Sequence, residues 1–149
     1  MKIRRFLVVV LLLFVSAAPA WGDDQAASVD SIRERAAQGD AQAQFNLGAM
    51  YSQGNGVPQD CTEALKWYHL AAAQGIAQAQ YNLGLMYYNG QAVPQDYVQS
   101  HKWFNLAAAT FTEKEFRDRA VKDRDDAAAR MTPAQLGEAQ KRAREWKKQ

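Results

Sequence analysis

A block of 35 residues is written twice with an offset of 36, and a chain built that way folds as stacked copies of one unit rather than around a single mixed core. Residues 39–73 and 75–109 align without a gap and are identical at 21 of 35 positions. The shared positions include Ala41-Gln42-Ala43-Gln44, Asn46-Leu47-Gly48, Val57-Pro58-Gln59-Asp60, Lys66-Trp67 and Leu70-Ala71-Ala72-Ala73. A period of about 20 to 50 residues marks a solenoid or a related array. Such units cannot cover their apolar faces alone, so neighbours cover them, and the stack presents an extended surface better suited to holding a partner than to enclosing a reaction.

Residues 1–22 are set aside before the fold is read. Lys2, Arg4 and Arg5 form a positive start, residues 6–15 are uninterruptedly apolar, and Ala18-Pro19-Ala20 offers small residues to a signal peptidase. Cleavage is expected after Ala20 or Gly22. A membrane anchor needs about 20 apolar residues, whereas this run gives way to Asp23-Asp24, so no stable membrane insertion is expected after cleavage. No Cys stands directly behind the apolar run, which argues against a lipid-anchored start. Removing the segment takes three of the 18 Lys and Arg, so the formal net charge falls from +2 to −1. The apparent basicity belongs to targeting, and nucleic acid is not an expected partner. Cys61 is the only cysteine, so no intramolecular disulfide can form and stability must come from packing.

Within each copy the spacing predicts two helices. In the first, over residues 41–53, Ala43, Leu47, Met50, Tyr51 and Gly54 share one helical stripe, which Ala79, Leu83, Met86, Tyr87 and Gly90 repeat. Gly48 and Gly84 stand inside these helices, where each costs about 1 kcal/mol relative to Ala. Close approach of the partner helix is the expected reason. Gly54, Gly56 and Pro58 then break the pattern. Asp60 is placed as the next N-cap, with Glu63 able to return to the cap backbone, and Asp96 and Gln99 repeat the arrangement. Trp67, Tyr68, Ala71 and Ala72 are expected on the inner face of the second helix, as are Trp103, Phe104, Ala107 and Ala108, and Gly75 ends the first of these helices.

The order Ala-Gln, Leu-Gly, Tyr, Gly-x-Gly-Val, Asp, Lys-Trp-Tyr, Ala-Ala, Gly closely resembles the Sel1-like repeat, a relative of the tetratricopeptide repeat. The resemblance covers about half the chain. It implies an all-α fold: a short right-handed α-solenoid of helix-turn-helix units. Ala36-Ala37-Gln38-Gly39 echoes residues 72–75 and reads as the end of a preceding half-unit. Two departures stand out, Ala92 in place of the second loop glycine and Phe111 where a third copy needs the glycine of Gly75. The first is expected to alter the turn, and the second to end the array.

Twelve of the 18 residues in 113–130 are charged, and Glu113/Arg117, Glu115/Arg119, Asp118/Lys122 and Asp126/Arg130 are acid-before-base pairs at i, i+4. Thr132-Pro133-x-Gln135 then predicts a capping box opening a last helix that reaches Trp146, resembling the Met-Thr-Pro tail seen after bacterial Sel1-like arrays. The expected organisation is a signal peptide at 1–22, a half-repeat or capping helix at 23–38, repeats at 39–74 and 75–111, and charged capping helices at 112–149. Two complete units fall short of the three or so usually needed for stability, which leaves open a subunit stable only in an assembly.

An enzyme would need a nucleophile with its base, a carboxylate pair in a cleft or a metal cluster. His69 and His101, the only histidines, align with Asn105 and Leu65, and neither has Cys or Asp at a ligand spacing. Neither a catalytic centre nor a metal or other cofactor is expected. Opposite the packing stripe the first helices carry Gln42, Phe45, Asn46, Ala49 and Gln53 in one copy and Gln78, Tyr81, Asn82, Leu85 and Asn89 in the other, an amide-rich and aromatic surface. In the related tetratricopeptide fold the first helices line a concave groove. By that resemblance Gln42, Phe45, Asn46, Gln78, Tyr81, Asn82 and Asn89 would face a bound protein or peptide, the amides on its backbone and the rings on its side chains. The same residues also read as solvated helix positions and interhelix packing, and that alternative stays open at this point. The resemblance implies an exported bacterial adaptor, periplasmic or secreted. It also offers a second reading, a cell-envelope enzyme or a protein binding peptidoglycan precursors or β-lactams, but the members with those associations carry paired cysteines in their repeats and this chain does not.

Overall fold

A computed structural model describes the backbone of residues 21–146 and side chains from Val29 onward. The expected signal peptide lies outside these residues, apart from Trp21 and Gly22. The described residues form seven helices and no strand: α1 (Trp21–Ala37), α2 (Ala41–Gln53), α3 (Cys61–Ala73), α4 (Ala77–Asn89), α5 (Tyr97–Thr110), α6 (Lys114–Ala128) and α7 (Pro133–Glu145). The α2/α3 and α4/α5 hairpins are the two repeats, α1 packs on α2 and α3 on α4, and α5 also carries α6 and α7. This is an all-α repeat solenoid closed by two further helices.

The glycines inside the first helices are notches for a ring. A Cβ at Gly48 would stand 2.8 Å from Tyr68 Cδ1, and one at Gly84 would stand 2.5 Å from Phe104 Cδ1. Both distances are inside normal carbon contact, so each helix pair approaches as closely as it does only because a side chain is absent there. Trp67 and Trp103 occupy a second equivalent place. Trp67 packs on the cluster of Ala36, Ala43 and Leu47, and Trp103 packs in the cluster containing Ala72, Ala79 and Leu83. They differ in cover. Trp146, just beyond α7, lies edge-on to Trp103 with centroids 4.9 Å apart, and Trp103 is fully buried while Trp67 stays half-buried.

Buried amides join one unit to the next. Gln44 donates through Nε2 to the Ala36 carbonyl at 3.2 Å, and Gln80 does the same to Ala72 at 3.4 Å. Each glutamine thus adds a second hydrogen bond to a carbonyl at the end of the preceding helix, one that already accepts from the N–H of Gly39 or Gly75. α1 thus makes the same contact with α2 that α3 makes with α4, and Gly39 and Gly75 follow α1 and α3 with similar positive φ, 94° and 88°. From the sequence Gln44 stands out only as an identical repeat position, without this role. Its partner network is complete only once: Gln74 donates to Gln44 Oε1 and to the Gly39 carbonyl, whereas the equivalent residue in the second repeat, Thr110, bonds its own helix at the Leu106 carbonyl. Gln80 Oε1 is left buried without a partner.

Several local expectations are corrected. Asp60 and Asp96 do cap α3 and α5 with their carboxylates, but their own N–H groups donate to the carbonyls of Tyr51 and Tyr87 across the loop. The box partner is therefore redundant, and Glu63 pairs with Lys66 instead. Ala92 keeps the turn rather than altering it: it adopts φ 59°, close to the 70° of Gly56, and carries the left-handed conformation at a cost. Along α6 the four expected pairs do not close. The ion pairs there are Lys114 with Asp118, which takes Asp118 from Lys122, and Arg124 with Asp125, while Arg119 and Arg130 turn onto the rings of Tyr81 and Tyr88. Met50 and Tyr51 of the expected packing stripe are only half-buried. At the C-terminal side Thr132 and Gln135 form the complete capping box, and Phe111, with extended backbone, turns the chain out of α5 and buries its ring beside Ala77, Ala107 and Ala120.

Candidate functional site

Four of the seven residues expected to face a partner come together. Phe45 from α2 and Gln78, Tyr81 and Asn82 from α4 line a cleft of about 220 Å³ whose remaining wall is Phe111, Phe116 and Arg119 from the end of α5 and the start of α6. The spacing explains the first four: Gln78, Tyr81 and Asn82 fall on one face of a helix, and stacking of α2 against the second repeat adds Phe45. Nothing periodic placed the other three. Phe116 stands where the earlier copies carry Gln44 and Gln80, and it is 49% exposed, its ring 5.6 Å from that of Phe111.

Tyr81 is the hinge of this cleft. Its ring lies 5.4 Å from Phe104 and 6.4 Å from Phe111, and its hydroxyl donates to Asp123 Oδ2 at 2.5 Å. Burial, followed by the Asp123 carboxylate, pushes the phenol up to about 12. The Arg119 guanidinium carbon sits 5.8 Å from the ring centroid. Tyr81 therefore fastens α6 to α4 as well as lining the cleft. On the α2 side, Phe45 leans on Tyr68 with centroids 5.9 Å apart, which makes it part wall and part packing.

The other three expected residues lie elsewhere. Gln42 donates to Asn46 Oδ1 at 3.0 Å on the exposed surface of α2, and neither lines the cleft. Asn89 lines a second, smaller hollow with Leu85, Tyr88, Phe104, Asp123 and Asp126. α6 is the cause: it lies against the second repeat and divides the face, leaving one hollow toward each end of α4. The histidines do not meet in a site. His69 lies edge-on to Trp103 at 5.4 Å, and His101 is buried under α6 beside Arg124 and Asp125. Burial pushes both imidazoles down. Among the described residues no group of three or more His, Cys, Asp or Glu is placed to hold a metal ion, and no helix is long and apolar enough to cross a membrane.

Paired helices, ring-in-notch contacts at a 36-residue offset and an open aromatic cleft define a short helical repeat solenoid. The Sel1 repeat profile matches residues 41–76 and 77–109, slightly displaced from the 39–74 and 75–111 expected. The chain belongs to the Sel1-like repeat proteins. It is 40% identical over 70 residues to the secretory immunoglobulin A-binding protein EsiB of Escherichia coli O6:H1, a match spanning 46% of this chain and 14% of that protein. Its fold is similar to the crystal structure of c5321, a protective antigen of uropathogenic Escherichia coli strains displaying an SLR fold. The TM-score is 0.74 at 35% identity, covering 82% of this chain and 25% of the other. A Sel1 repeat protein from Oxalobacter formigenes is similar with a TM-score of 0.56 at 38% identity, over 58% of this chain and 66% of that one. The chain thus spans only a small part of the Escherichia coli relatives.

Proposed function

We propose that this protein is an exported, non-enzymatic adaptor that holds another protein or a peptide on the face formed by the first helices of its repeats and the start of α6. The observation that carries the reading is the cleft in which Phe45, Gln78, Tyr81 and Asn82 meet Phe111, Phe116 and Arg119. Aromatic walls with amides at the rim are the composition of a protein-recognition surface, where rings and Arg anchor and amides bond backbone. EsiB is named for binding secretory immunoglobulin A, which supports protein binding as the class of activity. The partner itself does not transfer across a match to 14% of that protein. Export rests on the pattern of residues 1–22.

Site-specific photo-crosslinking in the bacterial envelope tests the face. A photoreactive residue in place of Gln78 is expected to capture a discrete protein, and Phe116→Ala is expected to reduce that capture while leaving the helical spectrum unchanged. A photoreactive residue in place of Glu138, on the outer side of α7, is the control. Capture from position 138 alone would move the docking surface to the basic final helix and overturn the reading.

A further inference from the structure

The cleft also carries a charge preference. We propose that its occupant is a peptide segment in which a large apolar side chain sits next to a carboxylate, the apolar group among the aromatic rings and the carboxylate on Arg119. The inference rests on the proposed binding face and specifies what that face selects.

Size comes first. At about 220 Å³ the cleft is smaller than the roughly 300–1,000 Å³ typical of small-molecule sites, and its lining is mostly ring surface, so it suits one apolar side chain rather than a cofactor. Phe116, half exposed, is the ring that such a side chain would cover.

Charge comes second. Lys114 and Arg124 of α6 are held by Asp118 and Asp125, whereas Arg119 makes no ion pair among the described residues and stands at the cleft wall. Asp123 lies one turn further along α6 and accepts the Tyr81 hydroxyl, and it is among the residues of the second hollow rather than of this cleft. A guanidinium against an apolar wall is a bidentate receptor for a carboxylate, and the neighbouring low-dielectric ring surface strengthens the pair. A basic residue at the same point would meet like charge.

The test uses the mature chain and peptide libraries displayed on phage, one with a fixed central Phe and randomised flanks, the other with Gly in place of the Phe. Wild-type protein is expected to enrich Asp and Glu beside the Phe by about tenfold over Gln, the size of one charge-assisted contact. Arg119→Gln is expected to abolish the acidic enrichment while still selecting Phe over Gly, and Arg119→Glu is expected to reverse it toward Lys and Arg. Arg119 is exposed and outside the core, so both variants should fold, which circular dichroism checks. Phe selection without acidic enrichment in the wild type, or an unchanged acidic preference in Arg119→Glu, overturns the charge inference and leaves the binding face standing. Equal selection of the Phe and Gly libraries overturns both.

Discussion

Two glycines in helix interiors should respond to the same substitution with opposite signs. An alanine at Gly84 places its Cβ 2.5, 2.6 and 3.0 Å from Cδ1, Cε1 and Cγ of Phe104, where packed carbons prefer about 3.5 to 4.0 Å. The ring would have to withdraw by about 1 Å to reach that distance. The ring is 1% exposed with Tyr81 against it, so it cannot withdraw without repacking its neighbours. Overpacking of this kind costs about 1–3 kcal/mol and opposes the gain in helix propensity of about 1 kcal/mol. Gly84→Ala should therefore lose about 1 kcal/mol net, and Gly84→Leu about 2 kcal/mol or more. Gly137, inside α7, has nothing within 4 Å of where its Cβ would lie, so Gly137→Ala should gain close to the full 1 kcal/mol or so of propensity. Urea denaturation followed by far-ultraviolet circular dichroism reads both, and the melting temperatures should move apart by about 8 °C, at roughly 4 °C per kcal/mol for a domain of this size. Phe104→Leu combined with Gly84→Ala should recover about 1 kcal/mol relative to the sum of the single changes. If Gly84→Ala stabilises as much as Gly137→Ala, the notch does not set the spacing of α4 and α5 and the packing argument is wrong.

Thr110→Gln should raise stability by about 1 kcal/mol in the same titration, because it offers the buried Gln80 Oε1 the donor that Gln74 gives Gln44. No gain would mean that Gln80 is already satisfied. Ala92→Gly should stabilise by about 0.5–1 kcal/mol by removing the left-handed strain of a residue at φ 59°, read as a shift in urea midpoint without a change in slope. Alkaline titration tests the α4–α6 fastening. The Tyr81 phenol lies above its unfolded value, so its contribution is present below about pH 10 and is lost as the pH rises toward the folded value of about 12; Tyr81→Phe should be less stable at neutral pH and lack that part of the alkaline decline. On the acid side, burial and then Arg124 push His101 below its ordinary value. Its contribution is therefore present above about pH 6.5 and lost as the pH falls through the folded value, so His101→Gln should flatten the stability profile there.

The sequence alone determined whatever is local or repeats. Helix spacing, the Asp60 and Asp96 caps, the Thr132 capping box, the glycine notches at 48 and 84 and the 36-residue period all depend on residues within a few turns of each other or on exact recurrence, and each is legible without knowing how units are oriented. The residues that build the cleft were legible in part for the same reason: Gln78, Tyr81 and Asn82 share a helix face, and Phe45 belongs to the equivalent face one repeat earlier. Only the tertiary structure decided what lies between elements. Gln44 and Gln80 are only identical repeat positions in the sequence; stacking places each against the carbonyl end of the preceding helix, where its amide N–H finds a partner. Arg119 and Arg130 read as members of helical ion pairs until Tyr81 and Tyr88 arrived against α6 and drew them onto rings. The charged α6 read as a solvated cap, yet by packing on α5 it completes the cleft with Phe116 and Arg119, separates Asn89 from it, and takes the Tyr81 hydroxyl on Asp123. Pairwise spacing along one helix cannot show these contacts, because they depend on the orientation of whole helices, which is set by packing at residues far from the ones that finally meet.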